Sequence, residues 1–323
     1  MTCTIPPASW RAAAARAGWA LLGSLLLSAC SGAPARPQEQ GEGASSGGKR
    51  PSIVSLNPCT DAILAEVTAP GQLLAISGYS HDPSSTSMGL EAAARYRGVS
   101  GSVEEVAALA PDVVVAGSFL APPTANALRD LGIRVVLEPI VSDVEGAREQ
   151  VRMLAELSGD KAAGERLVAR IDDALRRNAA PADWTPVPSL VWESAGLVAG
   201  NDTLVVDLLE HSGFVNSAGA RGLGQAEFLP LEQVLADPPR VIFAVGNPLA
   251  EEDRMLHHPV LADMKNTLRI PLSRSLIWCG GPTVPRLLDR LGRARRAWLG
   301  RHGDTREGAE DAGHARGFVQ KDT

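Results

Sequence analysis

From about residue 51 onward, short apolar runs alternate with stretches of helical spacing. Ile53-Val54-Ser55-Leu56 opens the series; Leu73 to Ile76, Val113 to Ala116 and Val135 to Leu137 follow, each bounded by Gly, Pro or Asp. Runs of this length and boundary predict buried strands, and the helical spacing between them predicts βα units around a parallel sheet. A second series begins after Pro188 with Leu190 to Trp192, Val241 to Val245 and Leu268 to Leu272, and with helical spacing over Leu204 to His211 and Val284 to Trp298. The pattern predicts two α/β lobes.

The segment between the two series is also patterned. Ser142-x-x-Glu145 predicts a capping box for a helix with Val144, Ala147, Val151 and Leu154 on one side, ending at Gly159. Asp160 then predicts the cap of a second helix to about Arg177, whose apolar stripe is Ala163, Leu167, Ile171, Ala174 and Leu175. A helical connector restrains hinge motion, whereas crossing strands with Gly would permit it.

An internal repeat sharpens the two-lobe reading. Val103 to Val113 aligns without gaps on Leu231 to Val241, with Glu, Val, Ala, Pro and Val at matching offsets. Each copy predicts a short helix, a Pro turn and a buried strand. Glu104 and Glu232 fall at the starts of those helices, where the macrodipole alone favours acidic residues. Their duplication points beyond that to paired roles.

Composition narrows the class. The 323 residues are 45% apolar with a net charge of −6 and interspersed signs, so a globular chain is expected and a polyanionic partner such as nucleic acid is not. Arg11 and Arg16 precede an apolar stretch from Ala17 to Leu27 that ends in Leu27-Ser28-Ala29-Cys30, the order of a secretory signal and similar to a bacterial lipobox. Residues 1–30 are therefore expected to be a lipoprotein signal, with Cys30 acylated; ordinary cleavage nearby is the alternative. Residues 31–50 have almost nothing to bury and are expected to be a tether, with the polar tail 300–323 similarly unfolded. The lobes then span 51–140 and 181–299, with the helical connector over 141–180.

Taken together, Ile53 to Pro58, Glu104 to Val115, Pro139 to Arg177, Ala199 to Thr203, Gly213 to Asn216 and Leu231 to Phe243 resemble the periplasmic binding proteins for cobalamin, ferric siderophores and haem. The resemblance covers nearly the whole folded region. It implies two Rossmann-like lobes with parallel sheets joined by a long rigid backbone helix, and capture of a cobalt- or iron-containing chelate between them. It implies no catalysis and no intrinsic cofactor, but an ABC permease and ATPase as partners, with the chain a periplasmic, lipid-anchored monomer. In that family a Glu on each lobe docks onto arginines of a two-fold permease, and Glu104 and Glu232 occupy the matching positions.

Ligands of open α/β sheets sit at the carboxyl ends of the strands. The loops there supply Cys59, Tyr79, His81 and Asp82 from the first lobe and Trp192, Glu193, Trp278 and Cys279 from the second, with Phe228 a weaker candidate. Aromatics are only 4% of the chain, so three in these loops suit a large, partly apolar ligand; ordinary packing is the competing reading for each. Cys59 and Cys279 are either a disulfide, a soft-metal pair with His81, or inert thiols. Clustered Arg or Lys is missing from these loops, with Arg221 and Arg274 only nearby, which favours a bulky ligand of low charge over a catecholate chelate. His257 and His258 are expected to cap the helix that follows them. Metal motifs such as HExxH or paired CxxC are missing, as are a Gly-x-Ser-x-Gly elbow and a P-loop. A bilobal metal-dependent enzyme or chelatase, a haem-binding protein and a surface lipoprotein without a small ligand are the competing readings.

Overall fold

The computed structural model describes residues 49–246 and 258–302 together with Asp253, Arg254 and Leu256. The expected signal, with Cys30, most of the tether, and His257 lie outside the described residues.

The first lobe runs β1 (Ile53–Ser55), α1 (Pro58–Val67), β2 (Leu73–Ser77), α2 (Leu90–Ala93), β3 (Arg97–Val99), α3 (Val103–Ala107), β4 (Val113–Gly117), α4 (Pro122–Asp130) and β5 (Arg134–Glu138). Its sheet is parallel throughout, in the order β3-β2-β1-β4-β5. The central strands are unbroken apolar runs because helices cover both faces. Ile53, Val113 and Val115 join one core while Val54 and Val114 join the other.

The connector consists of α5 (Val144–Ser158) and α6 (Lys161–Asn178), so the single backbone helix implied by the resemblance is realised as two. Gly159 adopts φ 78°, a left-handed conformation that ends α5, and Asp160 caps α6 by accepting from the Ala163 N–H. The ion pairs Arg148–Asp172 at 2.6 Å and Arg152–Glu165 at 3.0 Å run in opposite sequence directions, which makes the pair an antiparallel hairpin. Gly164 permits close approach, since a Cβ there would lie 2.5 Å from that of Ala155. The start of α5 corrects the expected capping box by one residue. Asp143, not Ser142, accepts from the Gly146 N–H at 2.7 Å, while the Val144 N–H is taken by Asp207 at 2.8 Å. That second bond fixes Val144 as the first helical residue.

The second lobe contains β6 (Val187–Glu193), β7 (Leu197–Ala199), α7 (Leu204–His211), β8 (Phe214–Asn216), β9 (Ala226–Phe228), α8 (Leu231–Ala236), β10 (Val241–Val245), α9 (Pro259–Ala262), β11 (Leu268–Leu272) and α10 (Thr283–His302). Its strands β8, β6, β10 and β11 pair in parallel in that order, repeating β2-β1-β4-β5 of the first lobe. The sequence repeat thus maps α3 and β4 onto α8 and β10, the same step in each sheet. The expectation of two parallel sheets needs one correction, because β7 and β9 add an antiparallel pair beyond β6. Residues 300–302, counted with the tail, are helical: α10 continues to His302, whose ring stacks on Trp298 at 3.7 Å. Arg50, counted with the tether, reaches Asp160 at 3.8 Å.

One apolar core crosses from lobe to lobe, running from Ile53 and Ile63 through Leu154 and Ile171 to Val191 and Leu288. Helix α6 packs on α1 of the first lobe and α10 of the second. Buried Arg295 adds a polar tie, donating to the carbonyls of Asn178 at 3.0 Å and Ser212 at 2.8 Å. With this seam shared, the lobes are held together by packing as well as by chain connection.

Candidate functional site: a cleft between the lobes

Both sheets direct the carboxyl ends of their strands toward a cleft of about 700 Å³, within the range of about 300–1,000 Å³ usual for small-molecule sites. Beyond β1, Asn57 caps α1 by accepting from the Cys59 N–H at 2.7 Å, and Pro58 takes the first helical position, where its missing N–H costs nothing. Cys59 is thereby set at the N-terminal end of α1. From the other lobe, the segment before α10 brings Trp278 and Cys279 to the same place. Gly281, at φ 66°, lets this segment lie against α1, because a Cβ there would meet Ile63 Cγ1 at 2.5 Å. Cys59 and Cys279 form a disulfide with Cα atoms 5.0 Å apart. That settles the three readings of the pair in favour of a covalent tie across the cleft.

The walls are mainly apolar. Phe119 and Ile140 come from the loops after β4 and β5, Leu197 from the start of β7, and Trp278 from the segment before α10. Each leaves substantial surface exposed, with Phe119 at 71% and Trp278 at 55%. Among these apolar surfaces stand Glu138 and Glu193, the last residues of β5 and β6. Burial pushes the Glu193 carboxyl up to about 7, against the opposing pull of Arg274. Burial also raises Glu138, opposed by a hydrogen bond from Gln150. Arg274 lines the cleft but is engaged by Asp253 at 3.0 Å, and Ser194 donates to the same carboxylate. Within α1, buried Asp61 accepts from the Ser77 N–H at 3.0 Å and the Ser80 hydroxyl at 2.7 Å. Its other oxygen lacks a partner among the described residues, and burial pushes its carboxyl up to about 8. Among the described residues, no three His, Cys, Asp or Glu side chains converge as a metal site.

The profile of the periplasmic binding proteins matches residues 53–267, two thirds of the chain. The chain belongs to the periplasmic binding protein family. No curated protein matches it in sequence. Among solved structures, it is similar to a periplasmic haem-binding protein from Pseudomonas aeruginosa at 22% identity and TM-score 0.61, over 76% of this chain and 92% of that one. A haem-binding protein of Roseiflexus sp. RS-1 in its apo form gives 23% identity and TM-score 0.59, over 75% and 97%. The vitamin B12 binding protein of Vibrio cholerae gives 19% and 0.58, over 75% and 95%. These likenesses extend the two-lobed fold.

Within this periplasmic binding protein, the residues singled out from sequence divide sharply. Cys59, Glu193, Trp278 and Cys279 line the cleft together. Tyr79, His81 and Asp82 do not: they occupy an exposed turn after β2, with Tyr79 68% exposed. The His81 ring lies over the β3 edge, where a Cβ on Gly98 would come within 2.9 Å of its Nδ1, so it joins neither the disulfide nor the cleft. Asp82 accepts from both the N–H and the hydroxyl of Ser84 at 2.7 Å, which lowers its pKa and shapes the turn that brings Ser84 and Ser85 to the cleft edge. Trp192 is the clearest correction. It is 0% exposed and packs with Leu190, Ile242 and Leu229, because β6 runs one residue beyond it and directs its ring into the core. Phe228 is exposed on β9 over Gly196, outside the cleft lining. Arg221 is also elsewhere, paired with Asp237 at 2.8 Å. His258 caps α9 as expected, its Nδ1 accepting from the Val260 N–H.

Glu104 and Glu232 are exposed in the first turns of α3 and α8. Neither side chain has a hydrogen-bond or ion-pair partner among the described residues. Phe119, Glu138, Ile140 and Gln150 were missed from sequence. All but Gln150 sit at or just beyond the ends of β4 and β5, two strand ends that the choice of cleft loops passed over. Gln150 is on α5, and no local pattern marks it.

Proposed function

We propose that this protein is the substrate-binding component of an ABC importer, capturing a bulky metal chelate of low charge, of the corrinoid class, in the interlobe cleft. The observation that carries this reading is the cleft lining: four exposed large apolar side chains, several carboxylates, and one guanidinium already engaged by Asp253. Flat apolar walls suit a ligand with a broad ring face. The carboxylates oppose a polyanionic catecholate chelate, which calls for clustered arginines. Haem iron is ordinarily held by His, Tyr, Met or a Cys thiolate. Among the described lining residues no such group is available, since both Cys are in the disulfide. Delivery to a permease is supported by Glu104 and Glu232, unpartnered carboxylates at equivalent steps of the two repeats. Charge pairs of this kind set orientation and encounter rate. Export and acylation at Cys30 complete the reading and rest on the leader sequence.

The test is a fluorescence titration of residues 49–302 with cyanocobalamin, haemin, a ferric hydroxamate and a ferric catecholate, using Trp278 as the cleft reporter. Saturable quenching by the corrinoid at micromolar concentration or below is expected, with its amplitude reduced in Trp278→Phe and the ligand recovered unchanged. Absence of quenching by every chelate, or chemical turnover of any of them, refutes the reading.

A further inference from the structure

Glu138 and Glu193 line one cleft from opposite lobes, and their residues are 3% and 5% exposed. Buried carboxyls ordinarily have hydrogen-bond partners, because an unpaired one is costly. Glu193 has no hydrogen bond or ion pair among the described residues. Arg274, the cation that acts on it, is held by Asp253 at 3.0 Å. Glu138 receives only a long contact from Gln150 Nε2, at 3.4 Å to one oxygen. Asp202 places a third carboxylate on the lining, with no ion pair among the described residues. The fold thus places acceptors on both sides of an apolar cleft, and among the described residues only Gln150 donates to either glutamate. A group that enters with the ligand would complete the arrangement.

We propose that Glu138 and Glu193 form a charge filter that admits chelates whose periphery carries hydrogen-bond donors, such as carboxamides, and rejects those bearing carboxylates at the same positions. An amide N–H meets either carboxyl favourably, and an amide carbonyl also accepts from a protonated one. Above pH 7, where Glu193 is ionised, a ligand carboxylate instead faces like charge between apolar walls, the repulsive element by which binding sites discriminate. The filter rests on the capture reading above and names which members of that ligand class are held.

Dicyanocobinamide and dicyanocobyrinic acid test it, since they share the metal and ring and differ chiefly in amide against carboxylate periphery. Affinities are measured at about pH 8, above the Glu193 pKa, by quenching and calorimetry for the wild type, Glu138→Gln, Glu193→Gln and the double variant. The wild type is expected to favour the amide by about a hundredfold, and the double variant to narrow that ratio by about tenfold or more, mainly by tightening the acid. Glutamine preserves size and the ability to accept, so a merely structural role would weaken both ligands alike. A ratio unchanged to within about twofold in a folded double variant overturns the filter. Should that variant not fold, the wild type decides alone: equal affinity for the two ligands, or preference for the acid, overturns it. Failure of both corrinoids to bind the wild type refutes the capture reading itself, and is distinct from either result.

Discussion

The covalent tie across the cleft has a stability consequence that can be worked out from chain length. Cys59 and Cys279 are 220 residues apart, so their bond closes nearly the whole described chain into one loop. In the chain-entropy treatment, a loop of this size restricts the unfolded ensemble by about 5 kcal/mol at 25 °C. The perturbation is Cys59→Ala with Cys279→Ala, which removes one sulfur from each position and leaves the cleft walls in place. Little packing is lost on the Cys59 side, which is partly exposed; Cys279 is buried. Urea unfolding of the oxidised wild type and the double variant should differ by about 3–5 kcal/mol. With a slope of about 3 kcal/mol/M, that is a midpoint shift of roughly 1–1.7 M. Reduction of the wild type should reproduce the shift. A difference below about 1 kcal/mol with unchanged slope would refute the entropic argument. The shared core and the α5–α6 seam would then account for nearly all of the interlobe stability.

Asp61 gives a pH signature of the opposite sign to that of an ordinary surface carboxylate. Its folded pKa, about 8, lies above the unfolded value of 3.8, so between those values the folded state holds a proton that the unfolded chain has released. Stability contributed by the neutral carboxyl is therefore present at low pH and lost as pH rises toward 8, at about 1.4 kcal/mol per unit. Relative to wild type, Asp61→Asn should gain roughly 4 kcal/mol between pH 5 and pH 8 in urea unfolding, and parallel pH curves would refute this. For the docking reading, Glu104→Arg combined with Glu232→Arg should leave chelate affinity unchanged while abolishing ligand-dependent transport by the reconstituted importer. Loss of ligand binding instead would assign these residues to capture.

Local pattern was enough for the longer strands of both sheets, because runs such as Val113 to Ala116 and Val241 to Val245 are apolar on every residue and only a sheet covered on both faces accommodates that. It was enough also for the break at Gly159 and for the repeat that relates α3 and β4 to α8 and β10. Each of these depends on residues close in sequence, whose spacing and backbone preference act before any long-range contact forms. The antiparallel pair β7 and β9 was not foreseen, since three-residue strands carry too little periodicity to register. Trp192 was misplaced for a related reason: a difference of one residue in where β6 ends decides whether its ring faces core or cleft. Only the tertiary structure decided that Cys59 meets Cys279, that His81 stands apart from both, and that Glu138 and Glu193 share one cleft. Those are relations between groups tens to hundreds of residues apart, and they follow from how α6 packs both lobes into one core.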